Sequence, residues 1–223
     1  MDIVFILVEP ARGENIGAAA RAIKTMGFSQ LRLVNPGDMT AAHWVAHHSN
    51  DVLEQAMIVD SLAQALVDVD LSIGCTARHR LQKDRYVDAD HCAALVAGKG
   101  NSVQRVAIVF GREASGLTGD ELGLCDLASS IPLAQQQPSL NLAQAVMIYA
   151  WELRKQPAVK ITEPDPATFS HTRQAVHQQL ASLHIQPNEN LHQWVDELLP
   201  LANDRELGLV RQLLRRLSSQ GKQ

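Results

Sequence analysis

Three short stretches of the sequence place polar side chains directly beside apolar runs. The first, ENIGAAARAIKTMGF at 14–28, follows the apolar run at 3–8 and carries Asn15, Gly17 and Arg21. Such a strand-to-helix turn could bind an anionic ligand, because unpaired backbone amides and the helix dipole point at it. Glycine costs a helix roughly 0.5–1 kcal/mol relative to alanine, so Gly17 indicates that another group approaches the backbone closely. The alternative is that these small residues serve only tight helix packing.

The second stretch, VFGREASGL at 109–117, places a carboxylate between two glycines at the end of an apolar run. Glu113 is that carboxylate, and Gly111 and Gly116 flank it. In open α/β sheets the crevice at the carboxyl ends of the strands is where ligands bind, which makes Glu113 a candidate site residue. The alternative is an ordinary turn with a solvated ion pair between Arg112 and Glu113.

The third stretch, IPLAQQQPSLNLAQAVMIYAWEL at 131–153, places Ser139 and Asn141 at the beginning of a long apolar helix. Their side chains either cap the helix or face a ligand. Capping explains Ser139. It leaves Asn141 unexplained, since asparagine is a moderately poor residue inside a first turn.

The elements that must position these residues follow from the hydrophobic pattern. Short apolar runs alternate with amphipathic segments, which predicts an α/β fold with a mostly parallel sheet and helices on both faces. We expect a domain over 1–156, a proline-containing linker over 157–170 and a small helical C-terminal extension over 171–223. The predicted strands are 3–8, 31–34, 57–59, 71–74, 106–110 and 127–131, and a long helix is predicted from about 139 to 156.

Composition limits the location and the partners. The three cysteines form no C-x-x-C pair, the N-terminus does not resemble a signal peptide, and no apolar run approaches the roughly 18 residues of a membrane span. We therefore expect a cytoplasmic protein without a membrane partner. The net charge of −4 means that nucleic acid would have to bind to a local basic patch. The candidate basic residues are Arg78, Arg80, Lys83 and Arg85, and Arg211, Arg215 and Arg216 near the C-terminus.

One histidine pair has the spacing of a metal site. His43 and His47 are four residues apart, as helical metal ligands can be, but the glutamate of the H-E-x-x-H pattern is missing. We therefore predict no metal.

Together, NIGAAARAIKTMGF, VFGREASGLT and PSLNLAQAV resemble, in order and spacing, the three motifs of the SPOUT superfamily of RNA methyltransferases. They are most similar to its SpoU branch and, within it, to the TrmJ and LasT-like 2′-O-methyltransferases. The resemblance covers residues 1 to about 156. It implies a C-terminal trefoil knot around the cofactor, which the general rules of chain topology would not predict.

The resemblance also implies site residues. Asn15 and Arg21 would face the acceptor ribose, and Gly17 would keep its approach open. Arg21 would position a phosphate or stabilise oxyanion charge. The alternative, a role for Arg21 as a base, would demand unusual activation, because arginine stays protonated. Pro138 stands where relatives often have serine, and proline has no amide hydrogen to donate. The implied catalytic residues are Asn15, Arg21, Glu113, Ser139 and Asn141. The implied cofactor-binding residues are Cys75, Thr76, Ala77, Gly111, Ile131, Pro138, Ser139 and Leu140.

The activity implied by the resemblance is transfer of a methyl group from S-adenosylmethionine to a ribose 2′-hydroxyl of structured RNA. The expected substrate is tRNA, with rRNA as the alternative, and the expected assembly is a homodimer whose active sites combine residues from two subunits. One rival is an RNA-binding SPOUT protein without catalysis. A nicotinamide-dependent oxidoreductase is disfavoured, because only Gly13 and Gly17 of the G-x-G-x-x-G fingerprint are present.

Overall fold

The computed structural model describes residues 1–77, 86–135, 139–154 and 169–220. Its centre is a seven-stranded sheet in the order β3-β2-β1-β6-β4-β7-β5, and all neighbouring strands are parallel. The strands are β1 (Asp2–Val8), β2 (Gln30–Val34), β3 (Met57–Val59), β4 (Leu71–Cys75), β5 (Tyr86–Asp88), β6 (Arg105–Phe110) and β7 (Leu127–Ser130).

Helices connect the strands and follow the last of them. They are α1 (Gly13–Thr25), α2 (Thr40–Val45), α3 (Asn50–Glu54), α4 (Leu62–Ala65), α5 (Ala89–Gly98), α6 (Gly119–Gly123), α7 (Leu142–Leu153), α8 (Phe169–Ser182), α9 (Asn190–Leu198) and α10 (Asp204–Gln220). None of the helices in the described ranges combines the length and apolar character that a membrane span requires.

Both faces of the sheet are buried. Along β1, Phe5 and Leu7 belong to one apolar cluster, while Val4 and Ile6 belong to the other. Residues of α1, α5 and α7 cover the first face, and residues of α4 and α6 cover the second. A strand buried on both faces is apolar at every position, and so β1 is a continuous apolar run. The predicted parallel sheet with helices on both faces is confirmed.

All six predicted strands are present, with ends that differ by no more than one residue. The sequence did not predict β5, which has only three residues and is partly exposed. The predicted helix from about 139 is shorter than expected, because α7 begins at Leu142.

Gly17 accommodates a neighbouring helix. A Cβ atom on Gly17 would lie 2.2 Å from the carbonyl oxygen of Ala42 in α2, and one on Gly13 would lie 2.7 Å from the carbonyl oxygen of Asp38. The group that approaches α1 closely is therefore the backbone of α2. Tight helix packing is confirmed, and the expectation that Gly17 keeps an open path to the ribose is wrong.

The C-terminal helices pack on the core of the preceding residues. Phe169, Leu199 and Leu207 are buried in the same apolar cluster as the central strands. Phe169 begins α8 inside the predicted linker, most of which lies outside the described residues. The division into domain, linker and extension stays a prediction.

Lys99, at the end of α5, is fully buried beneath the turn between α9 and α10. Its ammonium group donates hydrogen bonds to the carbonyl oxygens of Leu199 (3.5 Å), Pro200 and Ala202 (2.6 Å). Burial lowers the pKa of Lys99 to about 8, although Asp126 and Glu206 oppose the shift. Lys99 is thus one of the side chains that join the C-terminal helices to the rest of the chain.

Candidate active site

A cavity of about 330 Å³ opens at the carboxyl ends of β4, β6 and β7. This volume is at the lower end of the range of small-molecule sites. The cavity is lined by seven of the residues that the resemblance assigns to the cofactor: Cys75, Thr76, Ala77, Gly111, Ile131, Ser139 and Leu140. Pro138, the eighth, lies outside the described residues.

One wall of the cavity is the tight loop that follows β6. The backbone amide of Gly116 donates to the carbonyl of Arg112 (2.8 Å), and the amide of Arg112 donates back to the carbonyl of Gly116 (3.3 Å). A Cβ atom on Gly111 would lie 2.2 Å from the backbone of Gly116, which itself has a φ of +71°. Both positions therefore require glycine, one for space and one for conformation.

Glu113 projects from this loop to the beginning of α1. Its carboxylate accepts hydrogen bonds from the backbone amides of Ala11 (3.0 Å) and Arg12 (3.4 Å) and from Nδ2 of Asn15 (3.0 Å). Burial opposes ionisation of Glu113, but the hydrogen bonds, led by that from Asn15, outweigh it and lower its pKa. Glu113 is thus an ionised acceptor near neutral pH and not a proton donor.

Asn15 in turn connects Glu113 to Asn141. Its Oδ1 accepts a 2.8 Å hydrogen bond from Nδ2 of Asn141. Asn141 is the N-cap of α7: its Oδ1 accepts from the amide of Ala143 (2.8 Å), and its own amide donates to Gln144 (3.0 Å). Asn141 therefore caps the helix and also faces the site. The assignment of the cap to Ser139 is wrong.

Arg112 does not pair with Glu113, so the alternative interpretation of this turn, a solvated ion pair between the two, is wrong. Its guanidinium makes two hydrogen bonds to Glu121, of 2.9 and 3.0 Å, and contacts the carboxylate of Glu9 at 2.7 and 2.8 Å. The hydrogen bonds from Arg112 lower the pKa values of both glutamates. Glu121 also forms a capping box with Thr118 at the beginning of α6. This clamp joins the loop after β6 to the end of β1 and to α6.

The other predicted catalytic residues are less tightly bound. Arg21 is exposed on α1 and makes no side-chain hydrogen bond or ion pair with the described residues. Ser139 is also exposed, at the rim of the cavity. The structure thus brings Asn15, Glu113 and Asn141 into one chain of hydrogen bonds and leaves Arg21 outside it.

The predicted RNA-binding residues fall into two groups. Arg78, Arg80, Lys83 and Arg85 lie outside the described residues. On α10, Arg215 and Arg216 are exposed.

Arg211, one turn before Arg215 on α10, differs in that it contacts its own chain. Its guanidinium lies 3.4 Å from the hydroxyl of Thr172, 3.5 Å from that of Ser102 and 3.8 Å from the carboxylate of Asp204. Arg211 therefore takes part in packing α10.

Tyr149 also lines the cavity, although none of the three sequence motifs predicted it as a site residue. Tyr149 follows Leu142 and Ala145 on one face of α7, and this spacing is the signal that could have shown it. Its hydroxyl lies 2.8 Å from that of the buried Ser129 in β7. Burial also raises the pKa of the neighbouring Cys75 thiol well above its usual value, so this cysteine is a poor nucleophile.

Comparison with known families identifies the protein class. The model of the SpoU rRNA methylase family matches residues 2–151. The chain belongs to this family. The three loops around the cavity and the Glu113–Asn15–Asn141 chain all lie within the matched part.

Similar proteins span nearly the whole chain. The tRNA/rRNA methyltransferase LasT of Escherichia coli K12, itself described as uncharacterized, is 39% identical over 219 residues, which cover 96% of each chain. The tRNA (cytidine/uridine-2′-O-)-methyltransferase TrmJ of Klebsiella pneumoniae is 35% identical, with 99% of this chain and 98% of that protein covered. The crystal structure of TrmJ from Z. mobilis ZM4 superposes with a TM-score of 0.66 at 29% identity, covering 98% of this chain and 100% of the other.

Proposed function

We propose that the protein transfers a methyl group from S-adenosylmethionine to a ribose 2′-hydroxyl of tRNA. The observation that carries this proposal is the position of the Glu113–Asn15–Asn141 chain directly beside the cavity, since Glu113 belongs to both. Membership of the SpoU methylase family supports the cofactor, and the TrmJ relatives support the ribose acceptor and the tRNA.

The cavity suits the methyl donor in size and in lining. Phe110, Leu133 and Leu142 supply apolar walls, while the residues after β4, β6 and β7 supply backbone polar groups at its edge. When bound, S-adenosylmethionine supplies an electrophilic methyl group. The residues of the chain hold the donor and exclude water. The loop after β6, which Arg112 fixes in place, is suited to both tasks.

The acceptor side is formed by the beginning of α1. Glu113 holds the side-chain amide of Asn15 in one orientation. The group with which Asn15 would contact a ribose hydroxyl is therefore positioned before the RNA binds. Arg21 has an exposed guanidinium that no described residue occupies, and it is suited to a phosphate or to developing oxyanion charge. These groups favour an enzyme over an RNA-binding protein without catalysis.

Radiolabelled methyl transfer to an unmodified tRNA tests the proposal. We expect label in the 2′-O-methyl nucleotide fraction, loss of transfer by at least about 100-fold in Arg21→Ala, and unchanged donor affinity by calorimetry. Lys24→Ala removes another cation from α1, one that pairs with Asp51, and should leave transfer intact. Donor binding without transfer to tRNA or rRNA would support the non-catalytic alternative. Binding of a nicotinamide cofactor in its place would support the oxidoreductase.

We also propose a homodimer in the cytoplasm, with active sites that combine residues of two subunits. The exposed position of Arg21 supports this, because a partner subunit could present it to the ribose. Mixing inactive Arg21→Ala and Asn141→Ala chains tests the arrangement. Partial recovery of transfer is expected if Arg21 acts across the interface, and no recovery contradicts it.

The trefoil knot is likewise proposed on the basis of the resemblance. We propose that α7, the C-terminal helix of the methyltransferase domain, passes through a loop and so forms a knot around the cofactor. An experimental structure traced without a break from 127 to 154 tests this.

A further inference from the structure

Two histidines and one aspartate converge between α8 and α9, far in sequence from the motifs of the active site. Nε2 of His177 lies 2.6 Å from one carboxylate oxygen of Asp196, and Nδ1 of His192 lies 3.1 Å from the other. The two imidazole rings have centroids 4.9 Å apart. One ligand atom from each residue lies within 4.8 Å of the other two.

The arrangement has the geometry of a metal site between helices. His192 and Asp196 are one turn apart on one face of α9, and His177 faces them from α8. Two imidazoles and a carboxylate are ligands that Zn²⁺ and similar divalent transition metals bind. Ligand atoms at about 2.0–2.2 Å from a tetrahedral ion lie roughly 3.3 Å from each other. The 3.1 Å contact between His192 and Asp196 is already close to this value, and the 2.6 Å contact between His177 and Asp196 would have to lengthen. The two imidazole nitrogens, which lie within 4.8 Å of each other, would have to reach the same separation.

We propose that His177, His192 and Asp196 bind one divalent transition-metal ion of the type of Zn²⁺. Three protein ligands leave a coordination position for water or for a group from outside the chain. The ion would join α8 to α9 at a point where His177 of α8 already contacts the carboxylate of Asp196 in α9. The proposal does not depend on the methyl-transfer activity.

The surroundings of the cluster favour an ion. The side chain of His192 is 13% exposed, whereas those of His177 and Asp196 are 38% and 39% exposed, so the site is partly enclosed and still open to solvent. Arg173 lies one turn before His177 on α8 and would repel a cation, but it is paired with Asp126.

A second group in the chain serves as the matched control. Asp88, Asp90 and His91 also place their ligand atoms within 4.8 Å of one another, but all three are exposed. They come from four consecutive positions and offer a single imidazole. We therefore expect much weaker binding there.

The test uses the full-length chain, free of any histidine tag and treated with a chelator. Co²⁺ is titrated as a spectroscopic probe and then displaced with Zn²⁺. We expect one ion per chain, with the visible absorption of Co²⁺ bound to nitrogen and oxygen ligands. His192→Ala and Asp196→Asn should each weaken binding by at least about tenfold, the lower end of the loss seen when even an outer partner of a metal ligand is removed. The control pair Asp90→Asn and His91→Ala should bind as the wild type does.

Circular dichroism verifies that each variant is folded. Asp196→Asn keeps the shape of the side chain, so it remains informative if His192→Ala unfolds the helices. Equal metal affinity in the wild type and in Asp196→Asn would overturn the proposal. Loss of binding in the control pair, with Asp196→Asn unaffected, would overturn it as well.

Discussion

The side-chain oxygen of Asn15 accepts a 2.8 Å hydrogen bond from the side-chain nitrogen of Asn141. Asn141 is fixed in this orientation because its own oxygen accepts from the amide of Ala143. Asn15 must then direct its nitrogen at Glu113, which is the geometry observed. The beginning of α7 thus orients Asn141, and Asn141 orients Asn15. As a result, Asn15 presents its side-chain nitrogen to the carboxylate of Glu113.

Asn15→Asp tests this chain of hydrogen bonds. The variant places a second carboxylate about 3 Å from that of Glu113, and two like charges at that distance raise the pKa of one of them. We expect methyl transfer to fall by at least about 100-fold, which is the loss typical of an enzyme that lacks one oriented hydrogen-bond donor. Asn101→Asp, at an exposed position that precedes β6, should leave transfer unchanged. NMR titration of both carboxyl groups would contradict the mechanism if neither pKa rose in Asn15→Asp.

Arg112→Lys tests the clamp on the loop after β6. Lysine keeps the charge but cannot contact two carboxylates in the same planar geometry. We expect a loss of roughly 1–2 kcal/mol in stability and a several-fold weaker affinity for S-adenosylmethionine in calorimetry. Arg105→Lys disturbs a comparable pair of interactions, with Asp68 and Asp2, at the other end of β6. An equal effect of both variants on donor affinity would show that the clamp has no specific role at the cavity.

Gly17→Ala and Gly208→Ala separate helix propensity from packing. Alanine favours a helix over glycine by about 1 kcal/mol, and Gly208 on α10 has no neighbour closer than 3.9 Å to an added Cβ atom. Gly208→Ala should therefore stabilise the protein slightly. Gly17→Ala should destabilise it by about 1–3 kcal/mol, because the new methyl group overlaps the backbone of α2. Urea unfolding measures both, and a stabilised Gly17→Ala would contradict the packing of α1 on α2.

Lys99→Met tests the buried ammonium through its pH dependence. The pKa of Lys99 is about 8 in the folded protein and near 10.4 in an unfolded chain. Between these values the unfolded state binds more protons, so the contribution of Lys99 to stability rises with pH. The wild type should gain up to about 3 kcal/mol relative to Lys99→Met from pH 8 to pH 10.4. Urea unfolding at several pH values checks this, and a constant difference would contradict it.

The double variant Arg215→Ala with Arg216→Ala tests RNA binding by α10. Arg211 is left unchanged because it packs against Ser102 and Thr172. We expect weaker tRNA binding and a salt dependence reduced by about one unit of slope for each phosphate that an arginine no longer neutralises. Donor affinity should not change. Arg205→Ala removes an exposed cation from the other end of α10, and an equal effect there would mean that only the overall charge matters.

The sheet could be predicted because each long strand leaves a direct mark on the sequence. A strand covered on both faces, such as β1, must be apolar throughout, and helical segments between such runs imply parallel neighbours. The resemblance identified Asn15, Glu113 and Asn141 as site residues, and the fold then brings their side chains together. β5 left no such mark, because its sequence, Tyr-Val-Asp, has a single aliphatic residue, whereas the equally short β3 is Met-Ile-Val.

Partners that lie far apart along the chain could not be predicted. Glu9 is 103 positions from Arg112, and only the alignment of β1 beside β6 brings them together. Adjacent opposite charges suggested instead a pair between Arg112 and Glu113. The neighbour of Gly17 was equally hidden, since a glycine indicates close approach without indicating what approaches.

Lys99 has a practical consequence for anyone who wishes to prepare the catalytic part as a separate fragment. A chain cut after residue 154 would lose the three carbonyls that accept from the ammonium group, together with the apolar cover of Phe169, Leu199 and Leu207. An apolar surface with a cation at its centre would become exposed to water. A workable fragment therefore calls for a redesigned surface around Lys99, in which polar residues replace what the C-terminal helices now cover.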